Sequence, residues 1–319
     1  MQEKLDLKDR RILTELDFNA RISASSLAKK VGLTKAAVIN RVKRLEEKKI
    51  ITNYSLVIDT SRLGYVNYIA SVKFKNTSKQ KREEILSYAM NYPKVWGLLE
   101  SVGFFDLTMA FAARGNHDFF KIWKEFIKPI KKFLDVKRIV EIFDYSQYPK
   151  SYILGEKNNK EIILFDTSDK FSIDNEDKLI LKILSENSRQ TITDIAKKTN
   201  LSSKKVLYRI KKLERQGVIK GYRTEIDFGK LGYTYFKIFV NFDNSEAMEK
   251  AEAFVKAHPN FTYHQRFLGG YDLEADMECK GIYHFEEIMR ELDELLGSSI
   301  TEYEFFNCYR WPKNVYYVE

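Results

Sequence analysis

The sequence predicts an α+β fold in which two winged helix-turn-helix domains alternate with two ferredoxin-like βαββαβ domains. The first observation behind this is internal repetition. Leu5 set against Ile173, an offset of 168 residues, aligns the chain with itself without a gap through Tyr65 and Tyr233. Roughly a third of those positions are identical, far above chance for so long an ungapped match. The second is a run of three helical patterns opening each copy. The third is a switch of hydrophobic period in the second half of each copy, from helical spacing to strand alternation.

In the first copy Ile12, Leu13 and Leu16 make an apolar stripe, and a short helix follows around Ser25–Lys30. Thr34 stands as the N-cap of a third helix reaching about Lys48, with Val38, Val42 and Leu45 on its buried face. The second copy repeats this with Ile180, Leu181 and Leu184, then Asp194–Lys198, then Ser202 capping a helix backed by Val206, Ile210 and Leu213. The strand-like runs ITNYSLVID and VIKGYRTEID come next and suit a wing. Strand alternation at Val66–Lys75, an amphipathic stretch at Lys79–Tyr92, two strands across Val95–Ala113 hinged at Gly103, a helix over His117–Phe133 and a closing strand at Lys137–Tyr145 then give βαββαβ. The same order recurs from Tyr235 to Tyr309, where GGYDLE at 269–274 answers GFFDL at 103–107. The expected divisions are 1–65 and 173–233 for the helix-turn-helix domains, 66–152 and 234–319 for the βαββαβ domains, and a connector over 153–172 with a short strand at Ile162–Phe165.

Charge points to a polyanionic partner. The net formal charge is +9, and each helix-turn-helix stretch (5–65 and 173–233) carries +6. The βαββαβ stretches differ in sign, +5 for 66–172 and −8 for 234–319. The third helices concentrate Lys35, Asn40, Arg41, Lys43 and Arg44 in one copy, and Lys204, Lys205, Arg209, Lys211 and Lys212 in the other. A basic helix face alone is ordinary solvated surface. Joined to a capped start, small residues in the first turn, an apolar back and recurrence in both copies, it reads as a double-stranded DNA contact. No phosphate-cradling glycine loop, zinc spacing or matched nucleophile and base is present, so neither a metal nor a cofactor is expected. Cys279 and Cys308, lacking metal-ligand spacing, read as reduced buried thiols. With no apolar leader and no membrane span, the expected location is the cytoplasm.

The stretches LAKKVGLTKAAVINRVKRLEEKKII and IAKKTNLSSKKVLYRIKKLERQGVI resemble the leucine-responsive/asparagine-regulator (Lrp/AsnC) family of transcription regulators. The resemblance covers nearly all of both copies, and it implies that each βαββαβ module pairs with another and senses an amino acid or similar metabolite. Family members are single units, whereas this chain carries both partners, so internal pairing is expected, with further self-association left open. By that resemblance Lys35, Ala36 and Asn40, with Ser203, Lys204 and Tyr208, reach base edges. Arg41, Lys43, Arg44, Arg209, Lys211 and Lys212 hold phosphates. The family's effector turn maps to Gly103 and Asp106, and to Gly269, Gly270, Tyr271 and Asp272, with Phe105 replacing tyrosine in the first copy. The bland alternative for these turns is a β-turn with a structurally bonded Asp. Two rival functions remain. One is a tetrapyrrole enzyme resembling the tandem siroheme decarboxylases, for which His258, His264 and Arg266 are the suggestive cluster. The other is an effector-free architectural DNA-binding protein.

Overall fold

Capping residues set the helix boundaries at the start of each copy. In the computed structural model, which describes residues 4–157, 160–165 and 169–315, Asp6, Ser23 and Thr34 cap α1 (Leu7–Asp17), α2 (Ala24–Val31) and α3 (Lys35–Glu47). Each accepts a hydrogen bond from a backbone amide of the first turn, satisfying a donor the helix itself leaves open. Then come β1 (Ile51–Ile58), β2 (Val66–Phe74), α4 (Lys79–Asn91), β3 (Val95–Gly103), β4 (Leu107–Ala113), α5 (Asn116–Ile127) and β5 (Leu134–Gln147). The expected 117–133 helix stops early at Ile127, because Pro129 has no amide to continue the ladder, and a 3-10 turn covers Lys131–Phe133. The connector supplies the three-residue β6 (Ile162–Leu164); its residues 158, 159 and 166–168, and the extreme ends 1–3 and 316–319, lie outside the described residues. The second copy runs α6 (Asn175–Glu186), α7 (Ile192–Thr199), α8 (Ser203–Arg215), β7 (Ile219–Ile226), β8 (Thr234–Phe242), α9 (Ser245–Ala257), β9 (Phe261–Leu268), β10 (Leu273–Cys279), α10 (Ile282–Leu296) and β11 (Ile300–Asn314).

The two βαββαβ modules each have the ferredoxin-like strand order, β5-β2-β4-β3 and β11-β8-β10-β9. They then join at both edges. The far half of β11 pairs with β3 (Phe306↔Gly103 to Asn314↔Gly97), and the far half of β5 pairs with β9 (Glu141↔Leu268 to Gln147↔Tyr263). Eight strands therefore close into one antiparallel barrel, with α4 and α5 outside one half and α9 and α10 outside the other. Closure gives the strands two buried faces. In β10 Leu273, Ala275, Met277 and Cys279 face the helices, while Glu274, Asp276 and Glu278 alternate with them and are also buried. Both free thiols, Cys279 and Cys308, are buried, and burial raises each pKa.

The wing expectation needs correction. The runs 51–58 and 219–226 do not form a hairpin within either copy; they pair with each other, as a two-stranded ribbon shared between the copies. Hydrogen bonds across the ribbon are related by the same 168-residue offset. Ala20 N donates to Tyr222 O and Ser188 N to Tyr54 O, and Asp227 N donates to Ile50 O while Asp59 N donates to Val218 O. Tyr54 and Tyr222 are bulky β-formers, and each helix-turn-helix unit covers its apolar face with the other copy's strand. The first core accordingly holds Ile226 and Leu231 beside Leu13 and Leu45. Symmetry breaks beneath the first unit. There Arg223 bonds Asp17 at 2.8 Å and Asp17 accepts from Lys150 N at 2.7 Å, whereas Ser55 and Ser185 occupy the matching places in the second.

Candidate nucleic-acid interface

The turn between α2 and α3 is made by Gly32 at φ +64°, and its counterpart between α7 and α8 by Asn200 at φ +56°. Both residue types tolerate the left-handed region. The chain then re-enters a helix at Thr34 and at Ser202, whose side chains accept from Ala37 N and Lys205 N at 3.2 Å. Behind each helix Val38, Val42 and Leu45, or Val206, Ile210 and Leu213, are buried. The opposite faces are left in solvent. Lys35, Ala36, Asn40 and Lys43 are exposed on α3, and Ser203, Lys204, Tyr208 and Lys211 on α8. Ile39 and Leu207 add apolar surface to the same faces, a feature the sequence reading passed over.

Four of the expected phosphate ligands have another role. Arg41 bonds Asp6 and Asp9 at 2.7 and 2.8 Å, and Arg44 bonds Asp9 at 2.7 Å. In the second copy Arg209 bonds Asp174, Asp177 and Glu176, and Lys212 lies 3.4 Å from Asp177. The carboxylates come from the N-terminal turn of α1 or α6, so the pairs lock that helix against the recognition helix. Asp9 and Asp177 side chains are 4% and 0% exposed, and the Arg209 side chain only 13%. Burial works against the Arg209 charge, yet its bonds to Asp177 and Asp174 outweigh this and raise its pKa. Asp6 and Asp174 are held below the usual carboxylate range, first by the backbone amides of Asp9 and Asp177 and then by Arg41 and Arg209. Arg41, Arg209 and Lys212 are thus drawn into a clamp, Arg44 pairs with Asp9 while its side chain stays 48% exposed, and Lys43 and Lys211 are exposed.

The expected effector turns also prove structural at their acids. Asp106 accepts from Phe74 N at 2.8 Å and from Lys73 Nζ at 3.1 Å. Asp272 accepts from Phe242 N at 2.9 Å, and its own amide donates to Asn241. Each carboxylate closes the end of a neighbouring strand. Gly103, Gly269 and Gly270 have φ of +128°, +77° and +117°. Tyr271 stacks obliquely against Phe239, centroids 5.3 Å apart.

His264 and Arg266 converge on Glu252, while His258 stands apart from them against Phe254. His264 sits beneath α9, with Nε2 3.8 Å from Glu252, and burial lowers its pKa to about 4. His258 stacks on Phe254 and is likewise lowered to about 4, first by burial. Arg266 reaches Glu252 and Asp144. Among the described residues no group of side chains with metal-holding character occurs, and no helix is long and apolar enough to cross a membrane.

The charged and polar residues that sequence reasoning missed lie inside the barrel. Arg138, Lys237, Gln265, Glu274 and Asp276 meet around a cavity of about 80 Å³ otherwise lined by aromatic and aliphatic side chains. Lys237 is 3.2 Å from Asp276 and 3.6 Å from Glu274, and Gln265 Nε2 donates to Asp276 at 2.6 Å. Arg138 bonds Glu274 and lies over the rings of Phe239 and Phe267, 5.5 and 5.2 Å from their centroids. Alternation is the only sequence signal for this cluster, and it reads equally as a solvated strand face.

Comparison with known proteins agrees with both repeats. The AsnC-type helix-turn-helix domain matches residues 5–46, and a winged helix-turn-helix DNA-binding domain matches 173–220. The proline dehydrogenase transcriptional activator of Rhodobacter capsulatus is 34% identical over 127 residues, 39% of this chain and 82% of that protein. The transcriptional regulator LrpA of Pyrococcus horikoshii is 47% identical over 66 residues, 21% of this chain and 47% of its own length. Among solved structures the siroheme decarboxylase NirDL superposes with a TM-score of 0.62 at 17% identity, covering 97% of this chain and 93% of its own. That likeness concerns the fold of the whole tandem arrangement.

Proposed function

Because the chain belongs to the Lrp/AsnC family of helix-turn-helix regulators, we propose that it reads an asymmetric site on double-stranded DNA as a covalent pseudo-dimer. The observation that carries this reading is the pair of recognition helices, capped alike and backed alike but unlike on their exposed faces. Lys35, Ala36 and Asn40 face solvent in one copy and Ser203, Lys204 and Tyr208 in the other. Side chains near a recognition-helix N-terminus reach base edges, and two unlike sets specify two unlike half-sites. The shared β1–β7 ribbon fixes the spacing, since neither unit completes its core without the other copy's strand. Lys43 and Lys211 take the phosphate role; Arg41, Arg44, Arg209 and Lys212 support the helices that present them. Modulation by a small metabolite belongs to the same reading.

A non-enzymatic role is supported by the regulators among its relatives. The test is selection of bound duplexes with the wild type and with a chimera carrying the 34–44 segment in both copies. The wild type yields two different half-sites within one footprint and the chimera two alike. Identical half-sites for the wild type, or an unchanged motif for the chimera, overturn the reading.

A further inference from the structure

We propose that the interior of the barrel, between the two modules, binds a small monocarboxylate with an apolar body, its carboxylate against Arg138. This deepens the sensor part of the reading above and is tested on the protein without DNA, so its failure leaves duplex binding untouched.

The cavity has both volume and unmet chemistry. At about 80 Å³ it exceeds several times the roughly 10–15 Å³ that one water requires. Arg138 gives only part of its guanidinium to Glu274; its Nε and Nη1 are buried with no hydrogen-bond partner. Tyr235 lines the same space, is 1% exposed, and its hydroxyl also lacks a partner. Unmet buried donors are costly, and a ligand bearing acceptors removes that cost. Guanidinium favours carboxylate in both charge and geometry. The rest of the wall, including Ile69, Leu99, Ile142 and Phe306, suits a hydrocarbon body.

The acids in the cavity decide between a simple carboxylate and an amino acid. Glu274 is engaged by Arg138 and Lys237, and Asp276 by Lys237 and Gln265. An ammonium group would have to share Asp276 Oδ1, which accepts no hydrogen bond but lies 3.2 Å from Lys237 Nζ, with that cation, whereas a carboxylate meets donors of Arg138 and Tyr235 that no other group uses. The Gly269–Gly270 turn stands at the rim, where a Cβ on Gly270 would lie 3.5 Å from Arg138 Nη2. The turn that the sequence marks as effector-binding thus borders this site while its Asp272 stays bonded to the strand.

Thermal shift and calorimetry with 3-methylbutanoate, 3-methyl-2-oxobutanoate, valine and 3-methylbutanamide test the proposal. A ligand that binds only the folded state raises the melting temperature by an amount that grows with the logarithm of its concentration over its Kd. The two acids are expected to stabilise the wild type, and valine and the amide to do so at least tenfold more weakly. The charge-neutral pair Arg138→Gln/Glu274→Gln loses the response, and Tyr235→Phe weakens binding about fivefold, the scale of one neutral hydrogen bond. Asp272→Ala leaves it unchanged. Tyr235→Phe retains the ring, so it still reports if the double variant does not fold. Silence toward both acids, equal binding of valine, an unaltered response in Tyr235→Phe, or its loss in Asp272→Ala each overturns the proposal.

Discussion

Replacing Arg209 with alanine separates a clamp from a phosphate ligand. The Asp177 side chain is 0% exposed and receives Arg209 Nη1 at 2.7 Å, with Lys212 more distant at 3.4 Å. Removing one partner of a buried pair strands the other charge, which typically costs about 3–5 kcal/mol. Lys212 remains to offset part of this, so a loss of about 3 kcal/mol is expected for Arg209→Ala, at the low end of that range. Lys211, exposed on the same helix, carries the opposite expectation: Lys211→Ala leaves the urea midpoint alone and lowers the slope of log K against log salt by about 0.9, the share of one phosphate contact. The two assays are urea unfolding and duplex titration over a salt series, run on both variants. If Arg209→Ala keeps its unfolding midpoint and instead loses about one unit of salt slope, the assignment of the clamp is wrong.

Two further outcomes follow from the ribbon between the units. Glu225, on β7, has its pKa raised by burial to about 7. The folded protein thus holds a proton that the unfolded chain releases near the usual carboxylate value, and stability falls as pH rises from about 4.5 to about 7. Glu225→Gln should flatten that decline and gain roughly 3.5 kcal/mol at pH 8, at 1.4 kcal/mol per pK unit, as read by urea unfolding across pH; an unchanged profile refutes the assignment. Residues 1–152 and 173–319 expressed separately should each lack cooperative unfolding or self-associate, and should recover a cooperative transition when mixed; two monomeric, independently folded halves contradict the shared ribbon.

Local features were legible in the sequence because local chemistry determines them. Thr34 and Ser202 cap helices as their position before an apolar-periodic run implies, and the αL residues Gly32 and Asn200 end the helices before them. Pairing partners were not legible. Alternation in ITNYSLVI assigns faces but names no neighbour, and β1 finds its partner 168 residues away. The same ambiguity hid the barrel cluster. Glu274 and Asp276 alternate with Leu273, Ala275 and Met277, as on a strand with one face in water. Closure puts that second face inside the molecule. The clamp was misread for a related reason: an arginine on a recognition helix has the same sequence signature whether it meets a phosphate or Asp177.

Closure of the barrel also determines how the chain can be built upon. A ferredoxin-like sheet standing alone has two free margins, each a row of amides and carbonyls able to recruit a strand from another molecule. Here β5 meets β2 and β9, and β3 meets β4 and β11, so each module's margin is consumed by its own sibling. The short β6 adds only Ile162–Leu164 beside Tyr145–Gln147. Strand exchange between chains would first require opening a seam. The barrel thus offers a further assembly its outer helix faces and loops, where Phe120 and Tyr283 project at 64% and 85% exposure, while the separate β1–β7 ribbon keeps its own two margins. The repeat in this way places the joint between two like modules inside one chain, where its two halves carry different residues.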